Sequence, residues 1–243
     1  MSRGLPVSAR LAWWGTAWLR GQEVTDHVVD AVIGADATHA VTGLPGSGET
    51  LPLALALGTL RATGADGIGL CLPVEGDPVG CGGPAAFNAA ALEAGQAVVV
   101  GGHGLVPHRV GAAVTWTAYD AWPRQLSDVG QADRDLRSAL LASAEALASL
   151  DVARWRPEVA DELSNLRHRP ALDPPAGVPT RCTELAARAV QAHAIVTLAL
   201  EDDGAAVSAS AIGLRRKAIN PLAGAARRAL VAACSAEVWP PGP

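Results

Sequence analysis

Three glycine-rich runs hold most of the side chains in this chain that could do chemistry. Residues 43–50 read GLPGSGET, the spacing of a phosphate-binding loop. Such a loop cradles phosphates on backbone N–H groups and neutralises them with a lysine ahead of its Ser/Thr. Here Glu49 stands where the lysine should be, and a carboxylate there repels a polyphosphate. The run therefore reads as a strand-to-helix turn, and ATP hydrolysis is rejected. Residues 75–88 read EGDPVGCGGPAAFN. Gly80, Gly82 and Gly83 let a ligand approach the backbone, and the following helix start offers free N–H groups. Asp77 is placed to hold a hydroxyl or amine and Asn88 to orient a polar group, although Asp-Pro with glycines is also ordinary turn chemistry. Residues 101–108 read GGHGLVPH. His103 and His108 lack the helical H-E-x-x-H spacing that sets two metal ligands on one face, and no third ligand accompanies them. No metal and no cofactor is expected.

Other nucleophile signatures are missing. Ser47 is flanked at two residues by Pro45 and Glu49, not by the glycines of a nucleophile elbow. Cys71, Cys81, Cys182 and Cys234 form no CxxC pair, which argues against a zinc ribbon or disulfide scaffold and reads as buried, reduced thiols.

The elements that must position these runs follow from periodicity and punctuation. Ser8 is suited to cap a helix through Arg20, with Leu11, Trp14 and Trp18 at helical spacing. Thr25 or Asp26 starts a second helix, to about Ile33. Residues 38–44, 67–74, 96–100 and 110–119 read as strands, with helices over 51–63 and 84–94 between them. Strands separated by helices imply right-handed crossovers and a mainly parallel sheet of about four strands, with an antiparallel edge at the short third-to-fourth link. All three runs would then emerge at one rim, where open α/β folds hold their ligands. From residue 131 the pattern is helical: 133–150, 157–168, 180–200 and 221–234, with a proline-rich link at 170–179. The expected fold class is α/β, with residues 1–130 holding the sheet and 131–243 a helical half packed on one continuous core.

Composition bounds the partners. Of 243 residues, 49% are hydrophobic and 18% charged, enough to bury a large core. The net charge of −5 arises wholly before residue 131. Neither half has the cationic excess that a phosphate backbone demands, so no nucleic acid is expected. Arg3 and Arg10 precede an apolar stretch, Leu11–Leu19, that mimics a signal peptide. It lacks a small-residue cleavage site, and no stretch reaches the length of a membrane span. A cytoplasmic location is expected. Trp155, Arg156 and Arg167 sit near the ends of the 157–168 helix; they are the residue types of an interface anchor, or else they fill the junction with the sheet and cap the helix.

Residues 76–95 (GDPVGCGGPAAFNAAALEAG), 151–170 (DVARWRPEVADELSNLRHRP) and 221–234 (PLAGAARRALVAAC) resemble an uncharacterised protein family of actinobacteria over nearly the whole chain. The resemblance implies a bacterial cytosol and assigns no activity, ligand or catalytic residue. Three readings follow. The preferred one is a non-catalytic binding or interaction protein that self-associates. The alternative is an enzyme or sensor for a small polar ligand, with a cleft bordered by Glu49, Asp77, Gly82, Gly83, Asn88, His103 and His108, and with Asp77 and His103 as its acid–base groups. A third, a degenerate nucleotide-binding protein, requires binding despite Glu49.

Overall fold

The computed structural model describes residues 4–122, 124–149, 171–201 and 209–240. Seven α-helices and six strands are seen among them: α1 (Val7–Leu19), α2 (Thr25–Ile33), β1 (Thr38–Thr42), β2 (Leu51–Pro52), α3 (Leu53–Ala62), β3 (Gly69–Cys71), α4 (Ala85–Ala94), β4 (Ala97–Val100), β5 (His103–Val110), β6 (Ala113–Asp120), α5 (Val129–Ser149), α6 (Thr180–Glu201) and α7 (Ala209–Ala233). A 3₁₀ turn, Ala236–Val238, follows α7. The helix expected over 157–168, with Trp155, Arg156 and Arg167, lies outside the described residues.

The sheet order is β2-β1-β6-β5-β4-β3. Only β1 and β6 are parallel; the other four pairings are antiparallel. The expectation of about four mainly parallel strands is corrected on both counts. The main cause is β5, which lies over residues that the sequence marks as a glycine-rich loop. Pro107 pairs with Trp116 of β6 but lies beyond Leu105, the last β5 residue paired with β4. A strand position bordered on one side only is where proline is tolerated. With β5 inserted, β4, β5 and β6 form a meander through tight turns at Gly101–Gly102 and Gly111–Ala112.

Alternation along the strands explains the layers. Leu70, Val98, Leu105, Val114 and Trp116 point into the larger core with α1 and α3. Cys71, Ala97 and Val106 point to the other face, where Phe87 and Ala91 of α4 cover them. Gly104 gives Phe87 its place: a Cβ there would overlap the ring. Helix α1 is buried nearly all round, with Leu11 and Trp13 fully covered, as a helix packed on two sides must be. Trp13 Nε1 donates to Ala233 O at the end of α7, 3.0 Å away. The same buried cluster runs on into Leu136, Leu185, Ile219 and Leu222 of α5, α6 and α7. Helix α7 starts well before Pro221, which it carries internally.

Strand β3 is a sheet edge whose outward groups are each occupied. Ile68 N–H donates to Thr16 Oγ1 (2.9 Å) and Leu70 N–H to Ser235 Oγ (3.1 Å). Leu70 O accepts from Arg124 Nη1 (2.7 Å), and Leu72 N–H donates to Val79 O (2.9 Å). Unpaired edges invite strand addition, and this one is closed by side chains and a returning loop.

Candidate functional site

The strand registers decide where the three glycine-rich runs lie. The end of β1, the end of β6 and the start of β5 share one end of the sheet, since Thr42 pairs with Thr117 and His103 with Asp120. The 43–50 loop with exposed Glu49 leaves from that end, and His103 lies there too, two strands away, or about 10 Å at the usual strand spacing. His108 pairs with Thr115, toward the opposite end. Gly83 reaches the shared end, where its carbonyl accepts the Trp122 N–H at 3.0 Å and its N–H donates to Asn88 Oδ1 at 2.9 Å. Asn88 thus ties its own helix start to the loop. Gly82, half-buried, links Gly83 to Cys81.

Asp77 is elsewhere. β3 runs against β4, so the chain leaves it at the far end of the sheet, turns tightly at Val74–Asp77 and folds back beside β3. The Asp77 carboxylate accepts from Arg227 (2.9 Å) and Arg228 (2.8 Å) of α7. The residues grouped as a cleft are therefore divided: Gly83, His103 and Glu49 share one end, whereas His108 and Asp77 do not join them.

The fold-back creates a different constellation. Cys71 ends β3, and Gly80 returns directly beside it. Cys71 Sγ lies 3.0 Å from the carbonyl oxygen of Gly80, the residue before Cys81, and the Cys81 side chain packs against the same small core as Cys71. Above them lies Arg124, from the segment after β6, its side chain only 4% exposed. Nη1 donates to Leu70 O (2.7 Å) and Gly80 O (2.6 Å) and approaches Cys71 Sγ at 3.3 Å. Nη2 donates to Ser235 Oγ (3.3 Å) and Glu237 Oε1 (2.9 Å), and Nε also faces Glu237. Two glycines make the seat. A Cβ on Gly69 would overlap the Arg124 guanidinium and Glu237. Gly80 has φ +82°, and a Cβ there would sit 2.5 Å from Leu70 O.

The two thiols differ in character. Burial pushes the Cys71 thiol up and its bond to Cys81 adds to this, against the Arg124 charge. The bond from Cys71 holds the Cys81 thiol down, against its burial, and Arg124 helps. Cys81 is half-buried and Cys71 fully covered. A more acidic, reachable thiol beside a protonated, covered one is the arrangement of an attacking and a resolving cysteine. Cys182 and Cys234 are also free but buried, and burial drives Cys182 up to about 12. Trp122, 58% exposed, covers Gly83 next to the thiol segment.

A second polar cluster lies where β1 begins. Trp116 Nε1–H donates to His39 Nδ1 (3.4 Å), which leaves Nε2–H to donate to Asp36 (3.1 Å). Asp36 also pairs with Arg109 (2.7 Å) and, at 3.9 Å, with Arg10. Burial pushes the His39 imidazole down despite its bond to Asp36. For Asp36, burial acts upward, but the bonds from Arg109 and His39 outweigh it and hold the carboxyl down. Because the fold prefers neutral His39, the unfolded chain takes up that proton first as pH falls. Stability present above about pH 6.5 is therefore lost below it, with a slope of at most about 1.4 kcal/mol per pH unit for one proton. Urea midpoints at pH 7.5 and 5.5 should differ more for the native chain than for His39→Gln; equal differences would contradict this role for His39.

Among the described residues no set of three His, Cys, Asp or Glu could hold a metal ion, and no helix is long and apolar enough to cross a membrane.

Comparison with known proteins places this architecture. The model of the Rv1486c-like protein N-terminal domain matches residues 8–129, and that of the C-terminal domain matches residues 130–231. The chain belongs to the Rv1486c-like protein family. It is 28% identical to uncharacterized protein Rv1486c of Mycobacterium tuberculosis (strain ATCC 25618 / H37Rv), over 96% of this chain and 98% of that one. It is equally identical, with the same coverage, to uncharacterized protein MT1533 of strain CDC 1551 / Oshkosh. No solved structure matches. The actinobacterial resemblance read from the sequence is thereby established, and neither relative's name assigns an activity. In this family member the N-terminal model ends at the start of α5, so the thiol pair and Arg124 fall within it, while Ser235 and Glu237 follow the C-terminal one.

Sequence reasoning missed Arg124 and the pairing of Cys71 with Cys81. The available signal was a cysteine at the end of an apolar strand, followed within one glycine-rich return by a second cysteine flanked by glycines, GCGG.

Proposed function

We propose that this protein is a non-catalytic interaction protein governed by a reversible thiol switch, with Cys71 and Cys81 passing between dithiol and disulfide. The observation that carries the reading is the fold-back that sets Gly80 O 3.0 Å from Cys71 Sγ, and so brings Cys81 beside Cys71, beneath the buried Arg124 guanidinium. The oxidant class is a low-molecular-weight disulfide. Cys81 thiolate attacks one of its sulfurs, the small S–S bond breaks, and the first small thiolate leaves and is protonated by water. Cys71 then attacks Cys81 Sγ; its proton goes to the departing second thiolate. Two electrons pass from the protein dithiol to the small disulfide, giving one protein disulfide and two small thiols. A cytoplasmic setting, which keeps thiols reduced at rest, suits such a device.

Incubation with glutathione disulfide followed by peptide mapping tests the reading. The expected product is the Cys71–Cys81 disulfide, absent in Cys81→Ser. Persistence of both thiols, or a stable mixed disulfide on Cys81, overturns it.

A further inference from the structure

Resting on the thiol-switch reading, we infer that closing the Cys71–Cys81 bond releases the C-terminal turn, residues 235–239, from the edge of the sheet. Arg124 is the connecting part, a positioning residue rather than a reacting one. On one side its guanidinium holds Gly80 O and Cys71 Sγ, and on the other Ser235 and Glu237.

Three changes accompany the disulfide. The two free sulfurs close to about 2.05 Å. The Cys71 S–H donor to Gly80 O disappears. The Cys81 thiol, which the Arg124 charge helps hold down, is consumed, while the Glu237 pair with Arg124 remains.

The backbone cannot absorb the movement locally. Cys81 is bonded to Gly80, whose left-handed backbone lies so close to β3 that a Cβ on it would overlap Leu70 O and Cys71 Cα. The group free to yield is the Arg124 side chain. When it withdraws, Ser235 Oγ and Glu237 lose the donor that pins them, and Leu70 N–H loses its Ser235 acceptor. The turn itself is weakly built: its amides Val238 and Trp239 donate at 3.2 and 3.4 Å to Ser235 and Ala236. Trp239 is held otherwise through Nε1 to Ala233 O and the Arg20 guanidinium 5.4 Å from its ring.

Hydrogen exchange of the full-length chain, reduced and after treatment with glutathione disulfide, tests the coupling. In the oxidised chain, peptides covering 68–72 and 235–240 should exchange about tenfold faster, as expected for a locally opened segment, while peptides of β5 and β6 stay unchanged. Cys81→Ser, treated identically, should show no acceleration. A disulfide proven by mass with unchanged exchange at 235–240 overturns this coupling and leaves the switch standing. Failure to form the disulfide overturns both. Acceleration in Cys81→Ser as well would trace the loosening to the reagent and overturn the coupling.

Discussion

Arg124→Ala lowers the unfolding free energy by about 3–5 kcal/mol in urea titrations, because it strips charged donors from two covered carbonyls, Leu70 O and Gly80 O. Leu70 O is left unmet, at about 1–3 kcal/mol, and Gly80 O keeps only the weak Cys71 S–H donor after losing a charged one worth about 1.5–3 kcal/mol. The lost Glu237 pair adds little, since that carboxylate is half exposed and finds water. Arg124→Lys should recover only part of the loss: an ammonium can supply the charge but not the planar fork that reaches Leu70, Gly80, Ser235 and Glu237 together. A loss below about 1 kcal/mol for the alanine variant would mean that the guanidinium does not hold this edge together.

Gly80→Ala is the second large effect, about 2–5 kcal/mol, from backbone strain added to crowding. The new methyl would stand 2.5 Å from Leu70 O and 2.9 Å from Cys71 Cα, both main-chain atoms that cannot swing aside. Gly76→Ala is the control. Gly76 has φ +76° with nothing within 4 Å of its Cβ position, so it bears the conformational cost alone. The difference between the two variants isolates the close approach of the returning loop to β3. The Gly80 variant should also slow disulfide closure, since the loop that presents Cys81 must move outward. If both variants lose the same stability, crowding at Gly80 contributes nothing.

Much of the secondary structure was legible because helices announce themselves locally. The Leu/Ala run of α3, the proline-led start of α4 and its Gly95 cap, and the apolar repeat of α5 are all short-range signals. Strand direction is not such a signal. β3 and β4 were found, but their antiparallel pairing depends on a return loop whose path is set by Gly80 and by Arg124, far along the chain. β5 was hidden because its glycine-rich start reads as a loop, whereas Gly101 and Gly102 make only the tight turn that leads into the strand. Absence of a membrane-length helix among the described residues agrees with the apolar runs as read.

At the site, the 75–88 run was singled out for the right local reason, glycines that allow close approach, but for a ligand in place of the protein itself. Gly80 approaches Leu70, Gly83 lies under Trp122, and Asp77 and Asn88 have partners within the chain. The thiols were set aside because nine residues separate them, and a CxxC rule cannot see two cysteines joined by a fold-back. Arg124, isolated in sequence, carries no pattern; only tertiary structure gathers its acceptors from β3, the return loop and the chain after α7.

The most direct measurement is the oxidation product itself. Native protein equilibrated with glutathione disulfide at neutral pH, then trapped with acid and digested without reduction, should yield one linked peptide pair joining Cys71 to Cys81. The intact chain should be lighter by about 2 Da, with Cys182 and Cys234 still free. Oxidation that leaves Cys81 capped by glutathione, or that links any other pair first, would contradict the account.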